Sequence, residues 1–219
     1  MSLRLAALAV LVLGLPVLIS ARDKLPPSAG HVGASVTHTL LTRSGSKPTE
    51  ATAGMQIVWK DNLQTDKSGR VRVLLDDGSI LSLGANSSLN VVKHQASLQQ
   101  TRLELAYGRI RMQVARITKL GENFEVRTPN AVAGVIGTDF GVDATNPNET
   151  DFVCISGTVR VYTPDMKHFV DCGPVARLAV KRGQPLPSAP QQATRHAIER
   201  WRHITEPGDN LYPDPVPNN

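Results

Sequence analysis

The chain has 219 residues, of which 41% are hydrophobic, 20% charged and only 4% aromatic. That suits one globular domain with tails, long enough to bury a core built on aliphatic residues. The formal charge of +5 is too small and too scattered to indicate nucleic-acid binding, and supports no more than weak attraction to anionic envelope polymers.

Residues 1–21 have the pattern of a secretory signal: Arg4 as a short basic start, an apolar run from Leu5 to Ile19 broken only by Gly14 and Pro16, and Ile19-Ser20-Ala21 as a cleavage site. An uncleaved anchor is the alternative, although the run is near the lower limit for spanning a bilayer. Either way the folded part is expected outside the cytoplasmic membrane, periplasmic or secreted, with the membrane touched only through an uncleaved N-terminal segment. Cleavage removes one arginine and leaves a charge of +4. Residues 22–31, with Pro26-Pro27 and Gly30, have linker composition.

The domain is expected over 32–183. Strand character begins at Val36 to Leu40, and Arg43 to Thr49 has loop composition. Ile57-Val58-Trp59 leads into a turn at Lys60-Asp61, followed by Leu63 and Thr65. Val71, Val73 and Leu75 alternate with Arg70, Arg72 and Leu74. A three-residue loop Asp76-Asp77-Gly78, with Gly78 in the left-handed region, sets Val73 against Leu81 and Val71 against Leu83 on one apolar face. A two-residue Asp77-Gly78 loop opposes Val73 to Ser82, mixing the faces. In a solenoid the two strands sit in successive layers instead.

Leu98 to Val114 is apolar at intervals, with Tyr107-Gly108-Arg109 at a turn. Asn123 to Val142 follows: a strand with Phe124 and Val126, an interruption at Thr128-Pro129, a run of small residues (Ala131, Ala133, Gly134, Gly137), then Thr138-Asp139-Phe140-Gly141-Val142. Small residues let backbones approach closely. Gly157-Thr158-Val159-Arg160-Val161 echoes Gly108-Arg109-Ile110-Arg111, 49 residues earlier, a weak repeat compatible with stacked strands. Residues 190–205 carry Ala193, Ala197, Ile198, Trp201 and Ile204 at helical spacing. That helix either docks on its own domain or meets a partner. Residues 206–219 have the composition of a disordered tail.

In this order the blocks resemble FecR-type domains: an acidic turn, an Asp-Gly hairpin (Asp77, Gly78), a glycine-arginine turn, the Thr-Pro (Thr128, Pro129) to Gly-Thr-(Glu/Asp)-Phe signature (Gly137, Thr138, Asp139, Phe140), and a closing Gly-x-Val-Arg-Val. The resemblance covers roughly 33–183. It departs at Lys60-Asp61, where the family often has Gly-Asp. It implies an all-β, compact stack of short strands, β-solenoid-like or sandwich-like, here with a short C-terminal helix, and structural roles for these motif residues. The best-known members of that family are transmembrane regulators that control a sigma factor through a cytoplasmic segment. No such segment precedes Leu5, so a non-enzymatic binding, sensing or scaffolding role in the envelope is expected, with an envelope protein or a glycan as partner. An envelope carbohydrate-binding module is the alternative.

No catalytic, cofactor or metal constellation stands out. Asp76 and Asp77 belong to turn chemistry, and no second acid is forced beside Asp139. An exposed acid pair about 5–10 Å apart in a groove is what an enzymatic reading requires. The six histidines are scattered; His196 and His203 lie about 10 Å apart along a helix axis. The serines lack a Gly-x-Ser-x-Gly context. Strand arginines (Arg70, Arg72, Arg109, Arg111, Arg160) fit a solvated face or an anion-binding surface. Cys154 and Cys172 are expected to pair as a disulfide across a hairpin centred on Thr163-Pro164, with two buried thiols as the alternative.

Overall fold

The structure is a computed structural model that describes residues 27–36, 38–116, 123–135 and 137–204. The expected signal segment and tail lie outside the described residues. The chain runs β1 (Ser28–Val36), β2 (Thr39–Thr42), β3 (Thr49–Glu50), β4 (Gln56–Val58), β5 (Asn62–Thr65) and β6 (Arg70–Leu75). It continues through β7 (Ile80–Leu83), β8 (Ser87–Gln95), β9 (Gln100–Tyr107), β10 (Arg109–Gln113), β11 (Phe124–Arg127) and β12 (Val132–Val135). It ends with β13 (Asp139–Asp143), β14 (Glu149–Ser156), β15 (Val159–Tyr162), β16 (Phe169–Cys172), β17 (Ala176–Lys181), β18 (Gln191–Gln192) and a helix, α1 (Arg195–Ile204).

Two nine-stranded sheets result. Sheet A has the order β18-β17-β14-β13-β10-β7-β6-β1-β4 and sheet B the order β16-β15-β12-β11-β9-β8-β5-β2-β3. They face each other over one core holding Val71, Val73, Leu81, Leu83, Leu103, Leu105, Ile110, Met112, Phe124, Phe140 and Phe152. Of the two expected architectures this is the sandwich, although the chain advances along it much as a solenoid does, switching sheets every one or two strands. Pairing is antiparallel except between β9 and β11.

The β6–β7 hairpin has the three-residue loop. Val73 faces Leu81 and Val71 faces Leu83, Gly78 has φ +85°, and the Leu75 amide donates to the Ser79 carbonyl at 2.9 Å. At the chain's start, β1 begins at Ser28, inside the stretch with linker composition, because Gly30 and His31 pair with Leu75 and Leu74.

The chain passes from sheet to sheet at tight corners, and three of them need glycine. A Cβ at Gly108 (φ +99°) would stand 2.4 Å from the Cα of Ser87. At Gly157 (φ +78°) it would stand 2.5 Å from Cγ2 of Thr138, and at Gly137 (φ +76°) 2.9 Å from the Cα of Arg116. The echo between Gly108 and Gly157 is therefore a repeated corner. Gly108 leads from sheet B to sheet A and Gly157 leads back.

Helix α1 lies on the outer face of sheet A. Ile198 and Trp201 form a second apolar cluster with Val153, Ile155 and Ala193. The indole covers Gly141, where a Cβ would fall 2.6 Å from ring carbons.

Gly183 has φ +69° but open space around it. A side chain at either Gly137 or Gly183 thus bears the left-handed penalty of about 1–2 kcal/mol, and only Gly137→Val adds a clash with backbone. Gly137→Val is expected to lower Tm further than Gly183→Val by at least about 2–4 °C, the shift that about 1 kcal/mol produces at this chain length. Equal melting temperatures would remove the packing role assigned to Gly137.

Candidate functional site

Each family-like motif is held by a specific contact. Asp61, fully buried, accepts from the Val58 amide at 2.9 Å and takes both Nε and a terminal nitrogen of Arg43 at 3.0 Å. Lys60 before it has φ +69°, the conformation glycine adopts most easily, so the turn keeps its geometry despite the lysine. Asp77 accepts from the Ser79 amide at 2.8 Å, closing the loop around Gly78.

In the signature, the Thr128 hydroxyl accepts from the amides of Asn130 and Ala131, and Pro129 sits inside that turn. The same hydroxyl lies 3.1 Å from Oγ1 of buried Thr150 on β14, tying the β11–β12 turn of sheet B to sheet A. Thr138 lies beneath the Gly157 corner. Asp139 makes a two-pronged ion pair with Arg111 of the adjacent strand, both distances 2.9 Å. Phe140 is wholly buried. Of the strand arginines, Arg109 pairs with Asp143 at 2.8 Å and Arg160 with Asp171 at 2.7 Å.

Where β12, β15 and two corners meet, the outer face of sheet B holds an open groove of about 480 Å³, lined by Asn123, Gly134, Gly137, Thr158, Arg160 and Tyr162 among others. Its floor is bare because Gly134 points outward with no side chain. One wall is a connected group. Arg160 is forked onto Asp171 at 2.7 and 2.9 Å, its guanidinium stands 4.2 Å from the Phe169 ring centre, and Tyr162 and Phe169 are 5.6 Å apart. The hydrogen bonds from Arg160 hold the Asp171 carboxyl below its ordinary pKa. The sequence singled out Arg160 but not the groove. Gly134 was legible only as one small residue in a run.

The sequence from 61 to 160 matches the family model described as FecR protein. This stretch is a FecR-type domain. Two solved structures of a candidate anti-sigma factor from Parabacteroides distasonis ATCC 8503 share its fold, with TM-scores of 0.54 and 0.55 at 19% identity. In each, 65% of this chain aligns with 64% of the other, so the chain spans somewhat under two thirds of their length. No curated protein matches the sequence.

The FecR-type domain also carries an acid pair. Asp143 and Asp151 face each other across β13 and β14 and line a cavity of about 280 Å³ with Arg177, His196 and Trp201. Directly opposed residues lie within about 5.5 Å at Cβ. Their oxygens are committed, however. Asp143 takes Arg109 on one oxygen and the Thr145 amide and hydroxyl on the other, and Arg177 forks onto Asp151. Burial raises the Asp151 pKa against the pull of Arg177.

Among the described residues no group of three or more His, Cys, Asp or Glu could hold a metal ion. His94 is buried with Nδ1 2.8 Å from Thr101 Oγ1, and burial lowers its pKa, favouring the neutral ring.

The expected disulfide is not formed. Cys154 and Cys172 are free, buried thiols. The Gly157 corner takes the two cysteines out of a common hairpin. It ends β14 in sheet A, where Cys154 pairs with Phe140 and Ala176. The hairpin that follows is β15–β16 in sheet B, where Cys172 faces Val159. The Cys154 thiol donates to the Gly157 carbonyl at 3.2 Å. Burial pushes its pKa up to about 12 and that of Cys172 up to about 11.

Two outcomes follow from these contacts. Asp139→Ala removes both charge-assisted hydrogen bonds that the largely buried Arg111 makes to it and is expected to cost about 1.5–3 kcal/mol, whereas Asp139→Glu keeps the charge and costs much less; chemical denaturation of both variants checks this. Native protein is expected to resist iodoacetamide, since the thiolate is the reactive form, and unreduced denatured protein to yield two thiols per chain. A count of zero would restore the disulfide.

Proposed function

We propose that the chain is a non-enzymatic binding module of the bacterial cell envelope, acting outside the cytoplasmic membrane, in the periplasm or secreted. The observation that carries this reading is the contrast between its two faces. The outer face of sheet A carries α1, whereas the outer face of sheet B presents exposed Tyr107 and Phe169 and the groove over Gly134. Exposed aromatic and arginine side chains on a rigid sheet are what binding surfaces are built from. Support for a regulator-type role comes from the FecR protein match and from solved neighbours named as candidate anti-sigma factors. Support for a role without catalysis comes from the acid pair, whose oxygens are all engaged by arginines and a turn. The apolar run at 5–19 supports export.

Mass spectrometry of fractionated cells tests the location, with a mature terminus at Arg22 expected in the periplasmic or secreted fraction. An intact Met1 on soluble cytoplasmic protein would overturn it. Binding is tested by retention of the purified chain on isolated envelopes. Phe169→Asp and Tyr107→Asp are expected to reduce retention, and Glu199→Gln on α1 to leave it unchanged.

A further inference from the structure

We infer that the groove over Gly134 is a binding site for a neutral saccharide unit of the envelope. This rests on the binding reading above and assigns its ligand class.

The groove floor lacks a side chain at Gly134. Across sheet B, one outward row runs Asp171, Arg160, Gly134, Glu125, Arg102. Every position but Gly134 carries a long or charged side chain. A Cβ at Gly134 would stand 3.1 Å from Cε2 of Tyr162 and 3.8 Å from the Arg160 carbonyl. Glycine therefore lets the edge of the Tyr162 ring lean over the groove floor, where a side chain would push it away. The resulting space, about 480 Å³, is within the range of small-ligand clefts, about 300–1,000 Å³.

Charge decides the ligand class. Arg160 is neutralised by Asp171. On the strands beside the groove, Glu125 takes Arg102 at 3.2 Å and Arg127 at 2.9 Å. A phosphate or a cation meets paired charges there. A sugar hydroxyl is suited to the same pairs because it donates and accepts at once. Neighbouring hydroxyls can donate a hydrogen bond to the Asp171 carboxylate and accept one from the guanidinium. The fork is held in place by Phe169 below the guanidinium, so little side-chain freedom is lost on binding. Tyr162 supplies an apolar ring with a polar tip, the combination that receives the C–H face of a pyranose. An added peptide strand would use the edge of sheet B at β16, and Gly134 lies two strands in from that edge.

Calorimetric titration of the full chain with chitotetraose, cellotetraose and maltotetraose tests the site, with inorganic phosphate and polygalacturonate as charged comparators. Saturable binding of at least one neutral tetrasaccharide is expected at about millimolar Kd or tighter. Asp171→Asn is expected to weaken it about tenfold, the loss of one charge-assisted hydrogen bond. Its effect on Tm should be small because the pair is about half exposed. Gly134→Val should abolish binding, and Glu199→Gln should leave it unchanged. Absence of saturable binding by all three neutral probes overturns the inference, as does equal affinity in Asp171→Asn, or binding of the charged comparators alone. Such a failure, with the exported protein still retained on envelopes through the Tyr107 and Phe169 face, removes the saccharide and leaves the binding module standing.

Discussion

The architecture depends on corners where no side chain fits. A chain that switches sheets every one or two strands must reverse direction within a few residues, next to the corner of an adjacent strand. At Gly108, Gly137 and Gly157 both limits act together: the backbone takes positive φ, and a neighbouring atom occupies the place of the Cβ, from 2.1 to 2.9 Å away. Conformational strain of this kind can be tolerated where only one limit applies, as Lys60 shows at φ +69° in the Asp61 turn. Where both apply, glycine is the remaining solution. The contacts also join corners to one another, since Gly157 rests on Thr138 and on the Gly137 carbonyl. One substitution there would disturb two crossings at once.

The residues that mark the FecR-type domain are therefore residues the scaffold consumes. Asp61 closes a turn and anchors Arg43, Thr128 ties one sheet to the other, Asp139 neutralises Arg111, and Phe140 fills the core. Each of these four side chains is engaged inside the fold. Recognition of the family and identification of a ligand thus rest on different atoms. Binding specificity has to come from outward positions such as Arg160, Tyr162, Phe169 and Asp171, which the signature does not contain.

Much of the scaffold was legible because local rules and burial pointed the same way. In the β6–β7 hairpin only the three-residue loop put Val71, Val73, Leu81 and Leu83 on one face, and that is the register found. The helix showed its apolar spacing and ends against Val153 and Ile155. What failed were inferences that needed the chain's path between sheets. The cysteine hairpin assumed one continuous strand from Cys154 to Tyr162, and the Gly157 corner divides it into two sheets. The same glycine belongs to the Gly108–Gly157 repeat, but a positive φ cannot be told from close packing by sequence alone. The groove was illegible for a related reason. It is made by neighbours from β11, β12, β15 and β16, and that adjacency exists only once the strand order is known.

Two glycines in the same signature, seven residues apart, face opposite sides of the sandwich and have opposite uses. Gly141 points out from sheet A and receives the Trp201 indole, so the chain covers its own bare backbone and buries Ile198 beside it. Gly134 points out from sheet B and receives nothing from the described residues but the flank of Tyr162. A bare backbone position between long side chains creates a depression on any sheet. The depression on sheet A is filled by an apolar ring from the same chain, which fits a surface made of Val153 and Ile155. The walls of the other are a forked ion pair and a tyrosine, groups that gain most from a polar ligand with an apolar face. The face the helix leaves open is thus chemically the one least suited to being closed by a helix.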